Sequence, residues 1–129
     1  MKVKPFLKRV RESFLEVQVL CAQAEKYREM ATRAGGGNRK GESLEPCVVE
    51  LMDVHAKLQS KVSELLSDTR AAEKMIETLE KGSHRAVLNL YYICGYSFAD
   101  IANETNYTLR WVHKLHVAGV AELERRYTE

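Results

Sequence analysis

Two long seams of apolar residues constrain this 129-residue chain more than any other feature. In the first, Val3, Leu7, Val10, Phe14, Val17, Cys21 and Ala24 recur at alternating spacings of four and three. In the second, Val48, Leu51, His55, Leu58, Val62, Leu65, Thr69, Ala72, Ile76 and Leu79 continue the same alternation. A period of about 3.5 residues marks helices that bury one stripe against another helix. The spacing predicts one helix over 3–33 and a second from Glu45 and Pro46 to Lys81, with Pro46 suited to a first helical turn. Gly35, Gly36, Gly37 and Asn38 fall between them. Each glycine raises the entropic cost of staying helical, so 35–44 is expected to be a loop. Two such helices fold back as an antiparallel hairpin of coiled-coil type, or pair between two copies of the chain as a homodimer. Val19, Leu20, Tyr27, Val49, Met52, Val54 and Leu66 lie off these seams. They are expected to form a second interface, with another copy or with the C-terminal segment.

Several classes are excluded by what the chain lacks. No run of about 18 apolar residues is present, so no membrane span is expected. The N-terminus alternates charge and has no apolar signal core, which points to the cytoplasm. Cys21, Cys47 and Cys94 are odd in number and far apart, with no Cys-x-x-Cys pair. A disulfide framework or thiolate zinc site is not expected, and each is read as a small buried or half-buried apolar residue. Net charge is +2, unevenly spread: +6 over residues 1–40, −4 over 41–81 and zero over 82–129. The basic first helix and acidic second helix are suited to attract each other.

Beyond Leu79 the pattern changes. Gly82 reads as the left-handed residue after a helix and Ser83 as the cap of the next, placing a boundary between a helical hairpin, 1–82, and a C-terminal domain, 83–129. A helix is predicted over His84–Cys94, ended by Gly95. A second begins at the N-cap Ser97, where Asp100 completes a capping box and Tyr96 and Ile101 have staple spacing. It ends by Asn106, which tolerates left-handed geometry. A third starts at the N-cap Thr108, with Tyr107 and Val112 repeating the staple. Two capped starts eleven residues apart, joined by a tight turn, have the spacing of a helix-turn-helix. In such a unit the first helix crosses the phosphate backbone and the second enters the major groove by its N-terminal turns.

The third helix divides into two faces. Val112, Leu115 and Leu123 face a core. Leu109, Arg110, His113 and Lys114 occupy the other side of the first two turns, and no acidic residue lies between Asn106 and Ala121. Arg and Lys reach guanine edges or phosphate, and His can donate or accept at a base edge. Ser97 and Thr108 join this candidate DNA-binding set because helix N-termini offer N–H groups to phosphates. Trp111 joins it from beside them, with partial burial expected. His113 and His116 are three apart, but no third metal ligand is near, and no convergent nucleophile, base or metal cluster suggests an enzyme or a cofactor.

Gly95-Tyr-Ser-Phe-Ala-Asp-Ile-Ala102, followed by Asn106-Tyr-Thr-Leu-Arg-Trp-Val-His-Lys-Leu-His116, resembles region 4 of sigma-70 factors. Tyr107-Thr-x-Arg110-x-Val112-x-x-Leu115-His116 is similar, more closely, to an uncharacterised phage-associated, sigma-70 region 4-like family of Firmicutes. The resemblance implies a phage or prophage transcription regulator that binds double-stranded, promoter-like DNA together with bacterial RNA polymerase. It implies base contacts from Leu109, Arg110, His113 and Lys114. The main sigma factors carry Arg where this chain has Leu109, so the ordinary −35 element is not the expected target. The alternative is an interaction module that binds polymerase or another regulator without touching DNA. The neutral charge of the C-terminal domain keeps that alternative open, since phosphate neutralisation supplies most non-specific affinity.

Overall fold

A computed structural model describes residues 2–36 and 45–127, and over them the chain is all-α. The elements are α1 (Val3–Gly36), α2 (Glu45–Glu77), α3 (Gly82–Leu88) with a π-helical turn at Asn89–Ile93, α4 (Phe98–Thr105) and α5 (Leu109–Tyr127). Helix α1 runs through Gly36, so the loop expected over 35–44 does not begin at Gly35. Adding a glycine to an existing helix costs only about 1 kcal/mol relative to alanine, whereas starting a helix there would be far harder. The rest of that expected loop, 37–44, lies outside the described residues.

The second helix ends four residues before the predicted Lys81. Thr78 N bonds Met75 O and Leu79 N bonds Ile76 O, both at 3.1 Å, and the Thr78 hydroxyl donates to Met75 O at 2.6 Å. These tight bonds to the third preceding residue close the helix and free Leu79 to be buried on its own. The junction therefore differs from the expected one. Gly82 is not left-handed, and α3 starts at it, after Lys81. Arg85 donates to the carbonyls of Leu79 and Glu80, in the connection between α2 and α3. Ser83 lies inside α3 and caps nothing.

The described chain forms two compact units, Glu16–Glu64 and Met1–Leu15 with Leu65–Glu129. Each joins one end of α1 to the opposite end of α2. The units do not divide at residue 82. The ends of the hairpin helices share a core with the C-terminal helices: Val3, Phe6, Leu7 and Val10 of α1, Ala72, Met75, Ile76 and Leu79, Leu88 and Tyr92, and Val120 and Leu123 of α5. Burying one such side chain stabilises by about 1.5–3 kcal/mol, so this cluster dominates the unit. A second cluster joins Val87, Ile101, Val112 and Leu115, with Tyr96, Phe98 and Tyr107 packed against it.

The buried stripe of α1 follows the predicted seam except at Cys21, whereas that of α2 keeps the predicted period but shifts flank over its first half. Leu51, Leu58, Leu65, Ala72 and Leu79 are shared with the expected seam, whereas Val54 is 5% exposed and Val48 and Val62 are 41% and 42% exposed. His55 is exposed as well, and in α1 Leu20 is half-buried where Cys21 is exposed. The second line of the α2 seam therefore starts as Val54 and Lys61 in place of His55 and Val62, and it widens further along, where Asp68 and Met75 join the expected Thr69 and Ile76. Its charged members are paired: Lys61 with Glu16 at 3.1 Å, Asp68 with Arg9 at 3.6 Å. Of the residues expected to form a second interface, Val54 is buried inside its unit, Leu20 and Tyr27 are half-buried, and Val19, Val49, Met52 and Leu66 are exposed.

Gly95 ends the π-helical turn at φ 76°, a left-handed conformation. A Cβ there would lie 2.4 Å from the Phe14 ring of α1. Gly95→Ala is expected to cost about 2–4 kcal/mol, from the left-handed backbone together with overpacking. Gly82→Ala should be neutral or stabilising by up to about 1 kcal/mol, because a helical alanine replaces a helical glycine. Denaturant unfolding of both variants checks this; similar losses in the two would contradict the assigned conformations.

Candidate nucleic-acid interface

The segment from Gly95 to Lys114 folds as its local chemistry dictates. Ser97 has extended backbone and caps α4: its hydroxyl accepts from Asp100 N at 3.1 Å, and the Asp100 carboxylate accepts from Ser97 N at 3.3 Å. Such caps are worth about 0.5–2 kcal/mol. Asn106 stops α4 in the left-handed conformation, φ 61°. Thr108 then caps α5, its hydroxyl accepting from Trp111 N at 3.1 Å. Tyr96 and Ile101, and Tyr107 and Val112, lie in the same apolar cluster, as the two staples require.

Helix α5 is amphipathic in two directions. Val112, Leu115, Gly119, Val120 and Leu123 are buried. Leu109, Arg110, Trp111, His113 and Lys114 are all exposed on its first two turns, so five of the seven predicted contact residues are brought together at one helix end. The first turn of α5 has no acidic residue. Ser97 and Thr108 are exposed, but their hydroxyls are engaged in capping. At α4 the Asp100 carboxylate already fills the positive helix end, which makes Ser97 a structural residue more than a phosphate contact. Trp111 is 47% exposed and not the partly buried packing residue expected. The buried stripe of α5 is centred on Val112 and Gly119, and Trp111 lies about 100° of helix rotation away.

Gly119 is a signal that the sequence reading passed over. A Cβ at Gly119 would meet Leu88 Cδ1 at 3.1 Å, so this mid-helix glycine marks the close approach of α3 and α5. Cys94 and Cys21 are exposed and Cys47 is half-buried, so only Cys47 fits the small buried role expected; all three are free thiols.

Beneath the exposed face lies an aromatic cluster. Tyr91 stacks on Phe98 with centroids 4.3 Å apart and planes 8° from parallel, and Phe98 lies 4.3 Å from the His113 ring. The Tyr92 hydroxyl lies 2.6 Å from His116 Nε2. Burial, then the charges of Lys4 and His113, lowers the His116 pKa to about 4, and burial, with a smaller push from Tyr91, raises that of Tyr92 to about 12. The phenol therefore stays protonated and shares a hydrogen bond with a neutral imidazole. Arg11 of α1 also enters: its Nη1 donates to Tyr91 O at 2.7 Å and Tyr96 O at 3.0 Å. Nothing in the local pattern around Arg11 announces a contact some eighty residues away in sequence. Among the described residues no group of three or more His, Cys, Asp or Glu is placed to hold a metal ion, and no helix is long and apolar enough to cross a membrane.

His116 ties stability to pH. Its folded pKa lies below the unfolded value near 6.5, so its contribution is full above pH 6.5 and is lost as pH falls toward 4. The denaturation midpoint of the wild type should fall more steeply over this window than that of His116→Gln. Parallel pH profiles for the two proteins would contradict the half-buried neutral imidazole.

A family model described as "Protein of unknown function (DUF1492)" matches residues 24–124. No curated protein and no solved structure matches the chain.

Proposed function

The chain belongs to the DUF1492 family of proteins of unknown function, and we propose that it is a DNA-binding transcription regulator. In this reading α4 and α5 form a helix-turn-helix of the sigma-70 region 4 kind. The protein acts in the cytoplasm of a bacterial host, at promoter-like DNA and together with RNA polymerase, as a regulator of phage or prophage type. The observation that carries the reading is the grouping of Leu109, Arg110, His113 and Lys114 on the exposed start of α5. Val112 and Leu115 hold the opposite side in the core, and Thr108 fixes where the helix begins. Two N-terminal turns with two cations and no carboxylate are suited to a groove lined by phosphates.

The protein-binding alternative has its own support. Leu109, Trp111 and Val117 are exposed apolar residues on the same helix, and Val117 is 65% exposed. A partner protein buries such residues more profitably than DNA does. The two readings separate by salt dependence, because DNA binding through phosphates weakens steeply as salt rises.

Arg110 comes early in α5 and its planar fork matches the guanine edge, so it is the leading candidate for base readout. Arg110→Ala is expected to cost about 1–3 kcal/mol on a site selected from random DNA and to relax preference there. Lys114→Ala should weaken binding across sequences and, as a phosphate contact, reduce the salt slope by about one unit. Both side chains are exposed, so helix content should not change. Binding of the three proteins to the selected site at several salt concentrations is the test. Equal binding by all three would remove α5 as the reading element and favour the protein-only alternative.

A further inference from the structure

We infer that Arg11 of α1 is a positioning residue for the exposed start of α5, acting through the column Tyr91–Phe98–His113. The inference rests on the proposed DNA reading only for its effect on binding; its structural half stands without it.

The corner between α3 with its π-helical turn and α4 is where the orientation of the C-terminal helices is set. Two backbone bonds close it, Cys94 N to Asn89 O at 3.0 Å and Tyr96 N to Leu90 O at 2.9 Å. The carbonyl of Tyr91, inside the turn, and that of Tyr96, one residue before the α4 cap, both accept from Arg11 Nη1. One guanidinium thus spans the corner. Its positive charge sits at a helix C-terminus, where the backbone dipole favours a cation. Phe14, one turn further along α1, lies where any side chain at Gly95 would be, so the corner closes directly against α1.

The same guanidinium lies over the Tyr91 ring, 4.0 Å from its centroid. Tyr91 stacks on Phe98, and Phe98 meets His113. His116 adds edge contacts to Tyr91 at 5.3 Å and to Phe98 at 5.1 Å, which keep the rings in register. A planar cation at one end of this column and an exposed imidazole at the other connect α1 to the face of α5 that carries Arg110 and Lys114. Arginine suits the first position because its fork bonds carbonyls in plane while its face stacks on an aromatic ring; lysine offers the charge and donors but no stacking face. The first helix therefore does more than close a core: it sets the geometry of the surface proposed to meet DNA.

The experiment uses the full chain. Arg11→Ala and Arg11→Lys are compared with wild type and with Arg9→Ala. Arg9 is a control from the same helix, exposed and paired with Asp68. The first readout is the His113 imidazole signal in heteronuclear NMR spectra, which ring currents from Phe98 make sensitive to the column. Arg11→Ala should displace that signal, Arg11→Lys should displace it less, and Arg9→Ala should leave it in place. The second readout is binding to the selected DNA site, which Arg11→Ala should weaken by about two- to thirtyfold, with Arg11→Lys between it and wild type. An unmoved His113 signal in Arg11→Ala, or an equal displacement in Arg9→Ala, overturns the inference. If Arg11→Ala is too unstable to examine, Arg11→Lys decides by the same signal. If the wild type binds no DNA, the proposed function fails, while the His113 signal still decides the role of Arg11.

Discussion

Helix α5 has to be covered on two sides, and the protein is organised around that requirement. Val112 and Leu115 close on Ile101 and Val87, a cluster that α3, α4 and α5 supply among themselves. Val120 and Leu123 cannot be covered in this way. They meet Leu88 and Tyr92, and over these lie Val3, Leu7 and Val10 of α1 with Ala72, Ile76 and Leu79. Without those residues a face carrying several fully buried side chains would be open to water, at about 1.5–3 kcal/mol for each. The two ends of the hairpin helices are thus part of the C-terminal fold and not a separate attachment to it.

This arrangement braces the exposed start of α5 from two sides. The turn before it is fixed by local chemistry, the caps at Ser97 and Thr108 and the left-handed Asn106. The helix behind it is fixed by non-local packing, including the close approach at Gly119. Surfaces that read DNA must hold side chains to a fraction of an ångström, and elements braced from both ends do so better than loops. On the proposed DNA reading, the neutral charge of residues 82–129 gives modest non-specific affinity and leaves recognition to a few placed side chains and to partner proteins.

What was legible in the sequence follows the range of the interactions. The capping box at Ser97, the cap at Thr108, the staples and the helix stops at Gly95 and Asn106 depend on residues within about five positions, and they appear where the residue types put them. The helical period of the hairpin was equally plain. Its phase was not, because α2 is apolar on both flanks of the Leu51–Leu58–Leu65 line. Counting apolar residues favours His55 and Val62, whereas the fold buries Val54 and pairs Lys61 across to α1; further on it uses both flanks, Asp68 with Thr69 and Met75 with Ile76. The misread junction has the same origin. Gly82 looked like a cap, but the helix had already been closed at Thr78 and Leu79, and Arg85, a side chain further along the chain, takes the carbonyls of Leu79 and Glu80 past its end. Arg11 was invisible because its partners lie beyond the reach of any local pattern.

Native-state hydrogen exchange on the full chain tests the central claim most directly, that the ends of α1 and α2 and the C-terminal helices are one cooperative unit. Under increasing denaturant the amides of Val10, Ile76, Leu88 and Leu123 should converge on a single opening free energy. The account would be contradicted if Leu88 and Leu123 stayed protected at denaturant concentrations where Val10 and Ile76 already exchange freely, since the C-terminal helices would then stand without the hairpin ends.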